Sequence, residues 1–208
     1  EEPVAAIMGA GVDISAADGN MVVDIGGGTT DIAVISMNGV VAKSSVKMAG
    51  SKLDKAIVKY VSSRYRILIG EKTAENAKMA AANVYSPDGS RKIVVKGRHL
   101  VRGLPEKVEV TDYDIYEAII DSIREMITAV KDVMENTPPE LAGDIYRNGV
   151  YLTGGGAMLY GLDRLMSSEL GVKCNVADDP ISCVARGTVS AFKNIDKLLD
   201  GFQHVSMF

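Results

Sequence analysis

Three consecutive glycines, Gly26, Gly27 and Gly28, separate two strand-forming runs, Met21–Ile25 and Asp31–Ile35, and Asp24 stands near the end of the first. A turn of this composition is built to meet phosphate, because without Cβ atoms its backbone N–H groups can lie against an anion. Asp24 is placed to hold a hydrated Mg²⁺ that bridges phosphate oxygens, and Thr29 and Thr30 offer hydroxyls beside the glycines. The device recurs at Gly154, Gly155 and Gly156, which follow the short apolar run Gly149–Thr153 and open into a helical pattern from about Leu159 to Leu170. Two glycine turns at strand ends can enclose one nucleotide. The competing reading of the first turn is a plain hairpin with an incidental Asp, since short glycine motifs recur by chance.

The elements that must position these residues follow from periodicity. Glu2 to Gly11 reads as a short helix with Pro3 in its first turn. An acid at the position of Glu2 ordinarily compensates the helix dipole. Val40 to Met48 makes a third strand, joined to the second by an Asn38-Gly39 turn. Leu53, Ile57, Tyr60, Val61 and Tyr65 recur at helical spacing and cover a sheet face. Glu71 to Ala82 has high helix propensity and sets Glu75 and Lys78 three residues apart, where a surface ion pair is the default expectation. A turn at Ser86–Gly89 and strands at Lys92–Lys96 and Lys107–Val110 suit a small, partly exposed subdomain. Thr111 and Asp114 then cap a long helix whose apolar stripe runs from Ile115 to Met134, with Pro138-Pro139 beyond its end. Val172 to Val176 gives another strand, and a helix from about Ile181 to Leu198 contains Gly187, a residue that inside a helix marks close packing.

Composition excludes several classes. A chain of 208 residues with net charge −4 and no dense Lys/Arg run is not a nucleic-acid surface. Cys174 and Cys183 read as buried reduced thiols rather than a disulfide framework. Pro3–Val12 is far shorter than a membrane span and has no basic segment before it, so the expectation is a cytoplasmic chain. With no initiator Met and an opening inside an apolar pattern, it reads as a piece of a longer protein. No G-x-x-x-x-G-K-[ST] run, dinucleotide fingerprint or G-x-S-x-G elbow occurs, and His99 and His204 lack ligand-spaced companions. The apolar end Phe202–Phe208 reads equally as an interaction tail or as a docked helix end.

Read in order, Glu1-Glu2-Pro3, VVDIGGGTTDIAVIS, GEKTAENAK, VYLTGGGAMLYGLDRL and DDPISCVARG closely resemble the MreB/Mbl family of bacterial actin homologues. The likeness spans essentially the whole chain. The glycine hairpin is shared with heat-shock chaperones and other actin-fold ATPases, whereas DDPISCVARG and the start EEPVAAIMGAG are specific to the shape-determining group. The resemblance implies an α/β fold, the second lobe of an actin-like (ribonuclease H-like) ATPase. That lobe has a mixed five-stranded sheet with flanking helices, made of residues 1–64 and 112–208, and a small inserted α+β subdomain at 65–111. The first lobe, with its own phosphate loop and the membrane-binding element, is expected outside this sequence.

By position, the resemblance implies that Glu2 orients the water attacking the γ-phosphate and that Asp24 is the Mg²⁺-associated aspartate, acting through water. Gly26, Gly27, Gly28 and Thr29 correspond to the second phosphate loop, Glu75 and Lys78 to the helix pair meeting ribose and purine, and Gly154, Gly155 and Gly156 to the adenosine loop. Ser51 replaces a usual Asp, and Ala82 stands where a Gly commonly closes the nucleotide helix; both bear on affinity and base preference. The expected cofactors are ATP or ADP with Mg²⁺. The expected function is a nucleotide-dependent filament protein that organises cell-wall synthesis and rod shape beneath the membrane. It would self-associate and meet cell-wall synthesis and shape proteins, touching the membrane through the first lobe. The chain alone is expected to be inactive as an ATPase. The alternative is an actin-fold ATPase of the chaperone or sugar-kinase type.

Overall fold

A computed structural model describes residues 1–193. Leu198, His204 and the run Phe202–Phe208 lie outside the described residues. The chain opens with α1 (Glu2–Gly9), followed by β1 (Asn20–Ile25), β2 (Thr30–Ser36), β3 (Gly39–Val46) and α2 (Gly50–Tyr65). Next come β4 (Ile67–Leu68), α3 (Glu71–Ala81), β5 (Lys92–His99), β6 (Pro105–Thr111) and the long α4 (Asp112–Glu135). α5 (Pro139–Asn148), β7 (Val150–Thr153), α6 (Leu162–Leu170), β8 (Cys174–Val176) and α7 (Cys183–Lys193) complete it.

Five strands form a mixed sheet in the order β3-β2-β1-β7-β8. β1 pairs antiparallel with β2 and parallel with β7, so the sheet changes sense along the strand that ends at the glycine turn. β1 is buried along its whole length because helices cover both faces, which is why its sequence is an apolar run rather than an alternation. Met21, Val23 and Ile25 enter the large core with Leu53 and Ile57 of α2 and Ile115, Ile119 and Ile123 of α4. Val22 points the other way, to Ala6 and Ile7 of α1. A second sheet, β4-β5-β6, is antiparallel throughout.

Local chemistry sets several boundaries. Thr111 and Asp114 form the expected capping box at the start of α4. The hairpin between β2 and β3 turns on Met37 and Asn38, both at positive φ, rather than on Asn38-Gly39. α5 does not appear in the sequence reading: Pro138-Pro139 looks like a stop, yet Pro139 occupies the first turn of a new helix, where a missing N–H costs nothing. The helix expected from about Leu159 is a 3-10 turn, Gly155–Met158, followed by α6, which begins only after Gly161 at φ 85°. The close packing expected at Gly187 is with α1. A Cβ there would stand 2.5 Å from the Ala5 carbonyl carbon and 2.9 Å from Gly9 N.

Candidate functional site

The first glycine turn is closed by the Gly26 N–H, which donates to the Thr29 carbonyl at 2.9 Å. α2 is docked end-on against it: the Gly50 N–H donates to the Gly26 carbonyl at 3.2 Å and the Ser51 N–H to the Gly27 carbonyl at 2.8 Å. These first amides of a helix are ordinarily free for an anion. Here they are spent on fixing the turn. The amides of Gly27 and Gly28, by contrast, donate to no acceptor among the described residues, and both glycines are exposed.

The second glycine turn packs directly onto the first. Gly154 (φ 78°) lies so close to β1 that a Cβ would stand 2.7 Å from the Ile25 carbonyl carbon, and a Cβ on Gly156 would stand 2.9 Å from Ile25 Cβ. Gly155, between them, faces open space. Larger residues at 154 and 156 would push the two turns apart. The turns therefore meet at Ile25, at the carboxyl ends of the adjacent parallel strands β1 and β7.

A cavity of about 410 Å³ opens between them, within the range of small-molecule sites. Gly26, Gly27, Gly155, Gly156, Glu75 and Lys78 all line it, so six of the sequence-derived site residues converge. Its walls are otherwise mostly apolar, with Leu53, Ile123, Met126 and Leu162 among them. Asp24, Gly28, Thr29, Gly154 and Glu2 are not part of this lining. Thr29 is exposed and its hydroxyl donates to Asp31 Oδ2 at 2.9 Å. Glu2 is exposed in the first turn of α1, on the opposite side of the sheet from α2.

The expected Glu75–Lys78 ion pair does not form. Glu75 pairs with Lys72 at 2.6 Å, and Lys78 Nζ turns instead to Asp54 Oδ1 at 2.8 Å and to the Gly50 carbonyl at 3.2 Å. Lys72 and Glu75 are neighbours one helical turn apart, whereas packing of α3 on α2 gives Lys78 a buried carboxylate. Lys72 donates to Glu75, holding that carboxyl below its ordinary range. Asp54 and Lys78 are both largely covered, and the Asp54 oxygen nearest the ammonium is buried without an aligned hydrogen bond. Their contact is thus mainly electrostatic.

Asp24 alternates with Ile25 and so faces the α1 side, beneath the turn. It is 4% exposed, and its Oδ1 accepts the Thr153 hydroxyl at 2.6 Å. Burial pushes its carboxyl above the usual range, the Thr153 hydrogen bond lowers it in part, and the facing Asp31 raises it again. A nearby cation would reverse that cost. The described residues contain no cluster of three or more His, Cys, Asp or Glu able to cage a metal. Asp24 offers one buried carboxylate, and one carboxylate together with ligand phosphates and water would be enough for a Mg²⁺.

Thr153, Gly50 and Asp54 escaped the sequence reading. Thr153 precedes the second glycine turn and is the register partner of Asp24, a relation that only the β1–β7 pairing reveals.

The model of the MreB/Mbl protein family matches residues 1–200. The chain belongs to the MreB/Mbl family. It is 50% identical to the cell shape-determining protein Mbl of Bacillus subtilis over 198 residues, covering 95% of this chain and 60% of that protein. It is 49% identical to the cell shape-determining protein MreB of Escherichia coli K12 over 196 residues, covering 94% of this chain and 56% of that protein. The chain thus spans about 60% of the length of such relatives. Among solved structures, MreB5 of Spiroplasma citri bound to AMPPNP superposes with a TM-score of 0.91 at 38% identity, over 96% of this chain and 60% of that one. MreB5 bound to ADP gives 0.92. The MamK double helical filament, at 21% identity and a TM-score of 0.76, shares the fold. The α/β fold of this MreB/Mbl chain, with its mixed five-stranded sheet, is accordingly actin-like. No helix among its described residues is long and apolar enough to cross a membrane.

Proposed function

We propose that this MreB/Mbl chain is the second, nucleotide-holding lobe of a cell-shape-determining filament protein, and that its cavity takes the adenosine end of ATP or ADP. The observation that carries the reading is the meeting of two glycine turns at Ile25 around a cavity that also contains Glu75 and Lys78. The MreB5 relative bound to AMPPNP or ADP supports the ligand class. Residues 1–64 and 112–208 would form the main subdomain and 65–111 the small inserted one.

In this reading the base lies on the apolar wall of Leu53, Ile123, Met126 and Leu162, with Glu75 and Lys78 meeting the sugar and base edges. The free amides of Gly27 and Gly28 receive phosphate oxygens as the chain of phosphates crosses the end of β1. Asp24 would hold the cation, and Mg²⁺ there would supply charge neutralisation to the phosphates. Glu2, at the start of α1, orients a water. A complementary lobe closes the cleft, and filament formation and contacts with cell-wall synthesis proteins and the membrane belong to the two-lobed protein. Family membership speaks against the chaperone and sugar-kinase alternatives.

Titration of the chain with Mg-ADP and Mg-ATP tests the reading. An open half-site retains amide contacts but not a closed, water-poor cleft, so the expected dissociation constant is on the order of 0.1–1 mM, without phosphate release. Absence of saturable binding at millimolar nucleotide overturns the proposal. Sedimentation of a two-lobed family protein carrying this chain, with and without ATP, tests assembly.

A further inference from the structure

Lys78 sits at a junction that the motifs do not announce. Its ammonium donates to the carbonyl of Gly50, whose own N–H donates to the carbonyl of Gly26 in the first glycine turn. It also lies 2.8 Å from Asp54 Oδ1, on the next turn of α2. One lysine on α3 is therefore linked, through the first residue of α2, to the turn at the phosphate end of the cavity. Asp54, Glu75 and Lys78 are the charged residues of the lining, and Glu75 is neutralised by Lys72.

Two roles are open to a lysine in a nucleotide cavity. A mobile ammonium would swing toward the phosphates as a point charge. A tethered one would donate in a fixed direction to neutral acceptors of the sugar or base. The tether decides between them, and here it is Asp54, 8% exposed and held on a helix whose end is itself pinned to the turn. We propose that Asp54 is a positioning residue of this site: its buried carboxylate holds the Lys78 ammonium on the Gly50 carbonyl, so that Lys78 reads the nucleoside rather than the phosphates. This rests on the nucleotide reading above. Asp54 touches no ligand in this role and acts through Lys78.

The proposal concerns selectivity, which a purely structural role would leave unmoved. The readout is the ratio of the dissociation constants for adenosine and for ADP with Mg²⁺, measured by NMR titration of the chain. Asp54→Asn releases the ammonium, weakening adenosine while leaving ADP a freed positive charge. The ratio should rise about tenfold, which is the loss of roughly one hydrogen bond from a charged donor. In a Lys78→Met background Asp54→Asn should change the ratio by less than about twofold, since the residue acts only through that lysine. The double variant removes both charges together and serves as the folding control. If Asp54→Asn itself does not fold, Asp54→Glu carries the test, because one added methylene displaces the ammonium from the Gly50 carbonyl and must still move the ratio.

An unchanged ratio in the Asp54 variants, or an equal change with and without Lys78, overturns the proposal while leaving the nucleotide site in place. Failure of the unsubstituted chain to bind either probe overturns the nucleotide reading and this inference together.

Discussion

Replacing Gly187 by alanine sets two effects of opposite sign against each other. In a helix interior the exchange normally stabilises, by about 1 kcal/mol from propensity alone. In α7, however, the new methyl would stand 2.5 Å from the Ala5 carbonyl carbon and 2.9 Å from Gly9 N. The Ala5 carbonyl oxygen would be overlapped outright. Contacts are comfortable at roughly 3.5–4.0 Å, so α1 and α7 would have to separate by more than about 1 Å, and a gap of about 1 Å already forfeits about half of each dispersion contact along the crossing. The movement would also strip Ala6 and Ile7 of part of their packing. Overpacking of this kind costs typically 1–3 kcal/mol, and a contact with rigid backbone belongs at the upper end, leaving a net loss of about 2 kcal/mol. Gly143 in α5 supplies the control, because a methyl there meets nothing within 4 Å and should deliver the propensity gain alone. Urea unfolding of both variants is the assay. The expected result is a lower midpoint for Gly187→Ala and a higher one for Gly143→Ala at unchanged slope. A Gly187→Ala midpoint at or above that of the parent chain would refute the crossing as described.

Two further predictions concern buried acids. Asp24 carries a pKa raised by burial, so the folded state holds its proton more tightly than the unfolded chain; the stabilisation is present at low pH and is lost as pH rises from 3.8 through the raised value. Asp24→Asn should remove that pH dependence and leave the metal-free melting temperature equal or higher, while lowering Mg-nucleotide affinity; a large metal-free loss of stability would point to a structural aspartate. Asp114 behaves oppositely: burial pushes its carboxyl up, but hydrogen bonds from Thr111, Tyr65 and Tyr60 outweigh this and leave it below 3.8. Its stabilisation is therefore full above pH 3.8 and lost as pH falls through the depressed value, and Asp114→Asn at neutral pH should cost about 1 kcal/mol through the α4 cap, read by thermal unfolding.

What the sequence disclosed was whatever a single residue's backbone demands. Gly26–Gly28 and Gly154–Gly156 announce turns by the glycine runs themselves, and at Gly154, Gly156 and Gly187 glycine also stands where a Cβ would collide. The capping box at Thr111 and Asp114 was equally readable, its partners being three residues apart. The partnership of Lys78 with Asp54 was not. Its members lie on different helices, and the sequence offered Lys78 a nearer carboxylate, Glu75, which Lys72 takes instead. The pairing of Asp24 with Thr153 likewise depends on strands remote in sequence. α5 was hidden by a diproline that starts a helix as readily as it ends one.

The electrostatics of the cavity also bear on why the proposed nucleotide reading expects one lobe to bind weakly. Its lining carries Asp54, Glu75 and Lys78, and Lys72 compensates Glu75 from outside the lining, so the local charges cancel in pairs. The helix end that might have offered free amides to an anion has already spent them on the Gly26 and Gly27 carbonyls. The amides of Gly27 and Gly28, which donate to no acceptor among the described residues, are a neutral receptor for a multiply charged group. Asp24 and Asp31 face each other beneath the turn and make that end negative. Phosphate can therefore settle there only with a cation between it and the carboxylates. In the proposed nucleotide reading the cavity would specify the nucleoside, and the charge that holds the phosphates would arrive with the ligand's metal or from a second lobe across the cleft.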